Sequence, residues 1–278
     1  MTIVVTGATG PFGRHTIEAL LSRGVPADQI LATGRKIEKV KDLGVRVQHA
    51  DYENPEELRA AFTGADQVLF VSGSEPGKRV PQHRNVIEAA KAAGVGLLAY
   101  TSIVNADTSD LILAGEHKET ERMIVESGVP YAFLRNSWYL ENYDYRSAVE
   151  HGLFGASGDG RISGAARADF AEAAAGALLA EGGANRAYEL GGPAFTMAEL
   201  AAEIGRVSGR EVTYTDLSPE KYTEMLIGVG LPAAFAEVLA DSDRAASGGA
   251  LFVERTDLEN LLGRPVTPLA TALQAALA

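Results

Sequence analysis

The stretch Thr2-Ile3-Val4-Val5-Thr6-Gly7-Ala8-Thr9-Gly10-Pro11-Phe12-Gly13 decides the fold of this chain. Its first residues are mostly β-branched and apolar, as in a buried strand, and apolar residues then recur with a helical spacing at Ile17, Leu20 and Leu21. A turn with the glycine spacing G-x-x-G-x-x-G separates the two. A strand, a glycine turn and a helix N-terminus in this order direct backbone N–H groups toward a pyrophosphate. The stretch therefore predicts the dinucleotide-binding turn of a Rossmann-type sheet, with a purely structural turn as the alternative.

Each glycine of this turn has its own predicted task. Gly7 permits the tight turn, Gly10 lets the backbone approach the phosphates, and Gly13 lets the helix pack close to the strand. The spacing differs from the commoner G-x-G-x-x-G, so the position of the turn directly after an apolar strand carries the assignment.

Strand-like and helical segments alternate after this turn. Strands are predicted at residues 30–33, 45–51, 67–71, 97–102, 131–135 and 186–190. These intervals are typical of an α/β protein with a doubly wound parallel sheet. We expect a Rossmann-type domain in residues 1–150 and a smaller, mostly helical C-terminal lobe in residues 151–278 that covers the substrate. Parts of residues 165–195, where Asp169 is expected to cap an alanine-rich helix, are predicted to return to the Rossmann-type domain.

The end of the second predicted strand indicates which dinucleotide the turn would bind. NAD-preferring domains carry an acidic residue about 20 positions after the glycine turn. Here Arg35 and Lys36 stand at that place. A guanidinium offers a 2′-phosphate a fork of donors and a permanent charge, so the sequence favours NADP over NAD. The alternative is a solvated basic loop end.

Other polar and aromatic residues follow strands at the same predicted ligand edge. Asp51, at the end of the third strand, is expected either to contact adenine or to form an Asx-turn. Trp138 and Tyr139, after the sixth strand, are expected to form walls of a pocket for a flat ring.

Composition limits the partners of this protein. The chain has 278 residues, a net charge of −12 and no basic stripe, so no nucleic acid is expected. It has no cysteine, which excludes disulfides and thiolate chemistry, and no paired histidine motif, so no metal site is predicted. No apolar run approaches the ~20 residues of a membrane span. We expect a cytoplasmic monomer or homodimer that acts on a small molecule.

Several further segments carry a family resemblance. The stretches TGATG, PQHRNVIEAAKAAGV, AYTS, ADTS, EHKETE, LRNSWYLENY, RADFAEAAA and LADSD resemble the NAD(P)H:quinone oxidoreductase type 2 family. That family belongs to the NmrA-like, atypical branch of the short-chain dehydrogenase/reductase superfamily and is close to the triphenylmethane dye reductases. The resemblance implies NADPH-dependent hydride transfer to a quinone or a similar flat aromatic acceptor, in a cleft between two lobes.

The resemblance also implies the cofactor site. Tyr139 would lie near the nicotinamide or the substrate. The residues that match the family's cofactor site are Gly7, Ala8, Thr9, Gly10, Pro11, Phe12, Arg35, Gly73, Ser74, Glu75, Asn136, Trp138, Tyr139, Glu141 and Asn142.

One departure from the wider superfamily concerns proton transfer. Its usual Tyr-x-x-x-Lys pair falls here on Leu113 and His117, or one position away, and no tyrosine lies between Tyr100 and Tyr131. Hydride transfer to a quinone leaves a phenolate-like oxygen, whose conjugate acid has a pKa of roughly 10, so little acid catalysis is needed. Tyr139 and His117 are the candidate catalytic residues, although His117 is not expected to be an essential general acid. The alternatives are a non-catalytic NADP(H)-binding redox sensor of the NmrA-like type and a triphenylmethane or azo dye reductase.

Overall fold

Nine strands occur in the computed structural model, which describes residues 1–278. They are β1 (Ile3–Val5), β2 (Ile30–Gly34), β3 (Arg46–His49), β4 (Gln67–Phe70), β5 (Leu97–Ile103), β6 (Tyr131–Asn136), β7 (Leu153–Gly155), β8 (Arg186–Leu190) and β9 (Tyr214–Asp216). Seven of them form one parallel sheet in the order β3-β2-β1-β4-β5-β6-β8, and β7 pairs with β9 in a separate parallel ribbon. The predicted fold class, a Rossmann-type doubly wound sheet, is confirmed.

Eleven helices surround these strands. They are α1 (Pro11–Ser22), α2 (Pro55–Phe62), α3 (Arg79–Ala93), α4 (Ile112–Ser127), α5 (Tyr145–His151), α6 (Arg167–Leu179), α7 (Met197–Ser208), α8 (Pro219–Gly228), α9 (Ala233–Ser247), α10 (Leu258–Leu262) and α11 (Leu269–Leu277). Residues of α1, α6 and α10 pack on one face of the sheet, and residues of α2, α3 and α4 pack on the other. None of the helices combines the length and apolar character needed to cross a membrane.

The apolar strands supply both layers of the core. In β1, Ile3 and Val5 join the cluster formed with α1 and α6, whereas Val4 joins the cluster on the opposite face. Successive side chains of a strand point to opposite faces, so a strand that is covered on both faces is apolar at every position. This explains why β1 and β2 are buried at every position, whereas β3, at the edge of the sheet, combines apolar and polar residues.

The sheet reverses its winding at β1. The two neighbours of β1 are β2 and β4, and α1 lies on one face while α2 lies on the other. In such sheets a crevice opens at the carboxyl ends of the strands where the order reverses. The glycine turn therefore lies at the position where a ligand is expected.

A third hydrophobic cluster lies apart from the two that cover the sheet, and most of its residues belong to the predicted C-terminal lobe. It joins residues of α5, α7, α9 and α11 with residues that follow β5. Segment 165–195 contributes α6 and β8 to the central sheet and its covering layer. The boundary between the two lobes stays a prediction.

The predicted role of Asp169 is wrong. Ala166 occupies the N-cap position of α6, and Asp169 lies within the first turn with its side chain 1% exposed. Its carboxylate accepts hydrogen bonds from Arg264 at 2.8 Å and from the backbone N–H of Thr267 at 2.8 Å. Asp169 thus ties α6 to the segment between α10 and α11, which lies about 100 residues later in the chain.

Candidate functional site

A cleft of about 290 Å³ opens at the carboxyl ends of β1, β2, β3 and β4. Its walls come from the glycine turn, from the loops after these strands and from α3: Gly7, Thr9, Gly10, Gly34, Arg35, Ala50, Asp51, Tyr52, Val71, Ser72, Gly73, Ser74, Glu75 and Gln82. Seven of the predicted cofactor residues line it, namely Gly7, Thr9, Gly10, Arg35, Gly73, Ser74 and Glu75, together with Asp51.

The glycine turn has the backbone that its sequence predicts. Gly7 has a φ of +60°, a region that residues with a side chain rarely adopt. A Cβ atom at Gly13 would lie 2.7 Å from the Cα atom of Ala8, so only glycine allows α1 to begin this close to the turn. The backbone N–H of Ala8 donates to the carbonyl of Thr33, which pins the turn to β2.

The N-terminus of α1 is open to an anion. Gly10 is the N-cap residue and has no side chain to accept from the first N–H groups, and the first turn contains no acidic residue. Uncapped N–H groups and the helix dipole favour a negatively charged group at this end. The turn can therefore hold a pyrophosphate without displacing a side chain.

The loop after β4 is fixed by two side chains of α3. The N–H of Gly73 donates to Nε2 of His83 at 2.9 Å, and its carbonyl accepts from Nε of Arg79 at 2.7 Å. Thr120 donates its own hydroxyl proton to the carbonyl of Glu116 at 2.7 Å, so it accepts the Nδ1–H of His83 at 2.8 Å. His83 is therefore a neutral imidazole that carries its proton on Nδ1 and accepts the N–H of Gly73 at its unprotonated Nε2 atom.

Burial controls the protonation of this imidazole. The side chain of His83 is fully buried among Tyr52, Phe70 and Tyr100. Burial, and then the nearby charge of Arg79, lower the pKa of His83 from 6.5 to about 3. His83 is thus neutral at every pH well above 3, and it keeps accepting the N–H of Gly73 throughout that range.

Two further features of the cleft were not fully predicted from the sequence. Asp51 forms the Asx-turn that was one of its two alternatives, since its Oδ1 atom accepts from the N–H of Glu53 at 3.0 Å, and it also lines the cleft. Tyr52 lines the cleft as well, with its hydroxyl donating to the carbonyl of Val71 at 2.7 Å. The only sequence signal for Tyr52 is its position after the same strand as Asp51.

The remaining predicted cofactor residues lie outside the lining of this cleft. Ala8 is buried beneath the turn, Pro11 and Phe12 begin α1, and Asn142 is exposed in a short turn after β6. Both carboxylate oxygens of Glu141 accept the backbone N–H of Arg167, at 3.0 and 2.9 Å. Glu141 therefore caps the N-terminus of α6.

Asn136 and Tyr139 form a corner where β6 ends. Nδ2 of Asn136 donates to the Tyr139 hydroxyl at 3.1 Å, whereas the buried Oδ1 atom of Asn136 has no partner. The Tyr139 ring lies 5.4 Å from that of Phe170 and 6.2 Å from that of Phe12, and the Arg167 guanidinium lies 5.2 Å from its centroid. Burial raises the pKa of the Tyr139 phenol to about 12, so this hydroxyl carries its proton at neutral pH.

Trp138 and Tyr139 do not pack together. Tyr139 is partly buried against the cluster that covers the central sheet, whereas Trp138 packs against the third hydrophobic cluster. Tyr139 has an extended backbone, with φ −80° and ψ 132°, and neighbouring side chains of an extended segment point in opposite directions.

Comparison with known proteins identifies the family. The model of a family described as NAD(P)H-binding matches residues 7–181. Quinone oxidoreductase 2 of Escherichia coli (strain K12) is 49% identical over 278 residues, which cover 98% of this chain and 97% of that protein. This chain belongs to the NAD(P)H:quinone oxidoreductase type 2 family.

Solved structures extend this type 2 assignment. The NADPH-dependent quinone oxidoreductase of Escherichia coli, complexed with NADPH, matches with a TM-score of 0.96 and 47% identity, covering 100% of both chains. The triphenylmethane reductase of Citrobacter sp. matches with a TM-score of 0.93 and 38% identity, covering 100% of this chain and 99% of that one. The family predicted from the sequence is confirmed, and with it NAD(P)H as the cofactor and an oxidoreductase as the class of enzyme.

In this type 2 family member, the candidate catalytic residue His117 is buried. His117 is 6% exposed and does not line the cleft. Its Nε2 atom accepts from Arg79 at 3.4 Å, and its Nδ1–H therefore donates to the Tyr100 hydroxyl at 2.8 Å. Burial and the charge of Arg79 hold the pKa of His117 well below its ordinary value. His117 thus extends the network behind Gly73, with both ring nitrogens engaged.

Proposed function

We propose that this protein uses NADPH to reduce a quinone or a similar flat aromatic acceptor. The observation that carries the proposal is the cleft at the switch point of the sheet, where an uncapped helix N-terminus and Arg35 line one continuous site. The membership of a family whose Escherichia coli member is an NADPH-dependent quinone oxidoreductase supports the choice of acceptor.

The adenosine half of the cofactor would fill the cleft. Gly7, Thr9 and Gly10 present backbone groups to the pyrophosphate, and Arg35 offers its exposed guanidinium to the 2′-phosphate. Asp51 and Tyr52 form the end of the cleft that would receive adenine. No cysteine, metal or covalent group is needed for this binding.

The nicotinamide half would extend toward the segment from Asn136 to Asn142. When bound, NADPH supplies the hydride. Tyr139 offers an aromatic edge beside Phe12, and its hydroxyl proton is free to donate because Asn136 already supplies the hydrogen bond that this oxygen accepts. In this arrangement the chain orients the acceptor and keeps it near the cofactor, while proximity provides most of the rate.

The nature of the acceptor follows from the absence of a strong proton donor, because burial raises the pKa of the Tyr139 hydroxyl to about 12 and makes it a weak acid. His117 is buried behind the Gly73 loop, and its one N–H donates to Tyr100 while its other nitrogen accepts from Arg79, so it delivers no proton to the cleft. A ketone would leave an alkoxide that requires a strong proton donor, whereas a quinone leaves a phenolate-like oxygen with a conjugate acid of pKa roughly 10. A cationic triarylmethane dye requires no proton at all, and the similarity to triphenylmethane reductase makes dye reduction the second candidate.

An assay of NADPH oxidation with benzoquinones tests the proposal. The wild-type protein should oxidise NADPH in the presence of a quinone and favour NADPH over NADH. Arg35→Ala should lose about ten- to a hundredfold of this preference, since one charge-assisted contact contributes roughly 1.5–3 kcal/mol. Tight NADPH binding without turnover of any quinone or dye would instead support the redox sensor. We also propose a cytoplasmic location and a monomer or homodimer, which fractionation and light scattering would test.

A further inference from the structure

Arg35 has a counter-ion in the cleft. Its Nη1 atom lies 3.1 Å from Oε1 of Glu75, and both residues line the same cavity. Arg35 follows β2 and Glu75 lies in the loop after β4, on the two sides of β1. The ion pair therefore bridges the two walls of the cleft above the glycine turn.

Glu75 is held in this position from its own side of the cleft. Its Oε2 atom lies 3.0 Å from Nζ of Lys78, and its carbonyl accepts the N–H of Lys78 at 3.1 Å. Two residues earlier, His83 and Arg79 fix both backbone groups of Gly73. The cations Lys78 and Arg35 also lower the pKa of the Glu75 carboxyl, so the group is an anion at neutral pH.

We propose that Glu75 is a specificity-determining residue whose carboxylate neutralises Arg35 until a 2′-phosphate displaces it. The inference rests on the proposed function, because it takes Arg35 as the ligand of the 2′-phosphate. A phosphate dianion and a carboxylate compete for one guanidinium and repel each other when both approach it. NADH has no 2′-phosphate and leaves the ion pair intact. Glu75 therefore weakens the binding of NADPH but not that of NADH. The preference of the protein for NADPH over NADH, expressed as a ratio of affinities, is lower than Arg35 alone would make it.

The two side chains are partly solvated, which limits the size of the effect. Arg35 is 57% exposed and Glu75 is 33% exposed in their side chains. For Glu75→Gln at low ionic strength, we expect NADPH to bind about two- to tenfold more tightly and NADH affinity to stay within about twofold. Added salt should shrink the difference, because exposed charges are screened.

The test is a set of equilibrium dissociation constants for NADPH and NADH, measured by titration calorimetry. Glu75→Gln should raise the ratio of the NADH constant to the NADPH constant. Glu38→Gln is the matched control, because Glu38 lies in the turn after Arg35 and pairs with Lys41 at 2.8 Å. It removes one negative charge near the same loop without touching Arg35, so it should leave the ratio unchanged.

A double-mutant cycle separates this inference from the proposed function. In an Arg35→Ala background, Glu75→Gln should change the ratio much less than in the wild type, because no guanidinium is left for the carboxylate and the phosphate to compete for. The competition is refuted if Glu75→Gln weakens NADPH binding, leaves the ratio unchanged, or raises it equally without Arg35. An Arg35→Ala variant that keeps the wild-type ratio, or a wild-type protein that binds no NADPH, would overturn the proposed function as well.

Discussion

Replacing His83 by glutamine removes one titrating group from beneath the cofactor loop. The glutamine Oε1 atom can still accept the N–H of Gly73, and its amide can still donate toward Thr120, so the connection between α3 and the loop is retained in kind. The variant can no longer bind a proton at this position, because glutamine does not titrate. Its free energy of unfolding should therefore depend less steeply on pH than that of the wild-type protein.

The size of the effect follows from the pKa of His83. Burial lowers it to about 3, against 6.5 for an unconstrained histidine. Between these values the unfolded chain binds a proton that the folded protein refuses, so the stability is complete above pH 6.5 and falls as the pH falls toward about 3. The loss is about 1.4 kcal/mol per pH unit, or about 2 kcal/mol between pH 6.5 and 5.

Urea unfolding between pH 5 and pH 7.5 measures this slope. From pH 7.5 to pH 5, wild type should lose about 2 kcal/mol more than His83→Gln. Phe70→Leu is the control: the Phe70 ring lies 4.8 Å from that of His83, so this variant loosens the same packing and removes no titrating group. It should lower the stability at every pH and keep the wild-type slope. If the free energies of unfolding of wild type and His83→Gln changed in parallel with pH, the assignment of His83 as a neutral, buried imidazole would be refuted.

Two further variants test other parts of the molecule. Burial raises the pKa of the Asp243 carboxyl to about 6, against 3.8 unfolded, so its ionisation should cost stability as the pH rises between these values. Between pH 4 and pH 7, the free energy of unfolding of Asp243→Asn, measured with urea, should therefore rise by up to about 3 kcal/mol relative to that of the wild type. If the two proteins differed by the same amount at both pH values, the raised pKa of Asp243 would be contradicted. Tyr139→Ala should lower kcat/KM for a quinone by an amount worth roughly 1–3 kcal/mol while NADPH affinity changes little, as steady-state kinetics and calorimetry would show. A loss of NADPH affinity with an intact kcat would instead place Tyr139 on the cofactor alone.

The corner at Asn136 and Tyr139 shows what the family resemblance could predict and what it could not. It placed the segment from Asn136 to Asn142 beside the cofactor but carried no information on side-chain direction. In the structure Tyr139 packs against Phe170 and Trp138 packs against a different hydrophobic cluster. Glu141 has a structural task, the capping of α6, that depends on a helix starting 26 residues later. Such pairings depend on the docking of one segment against another, which local sequence does not report.

The sequence alone determined the sheet, the glycine turn and the position of Arg35. These features are local: apolar runs specify buried strands, Gly7 and Gly13 are required by backbone geometry, and Arg35 follows its strand directly. The tertiary structure alone decided the partners of those residues. Glu75 reaches Arg35 across 40 positions, and the network behind Gly73 joins α3 to α4 through His83 and Thr120, which are 37 positions apart. Charge and hydrogen-bond pairing at such separations depends on which strands become neighbours, and only the folded sheet brings the two walls of the cleft together.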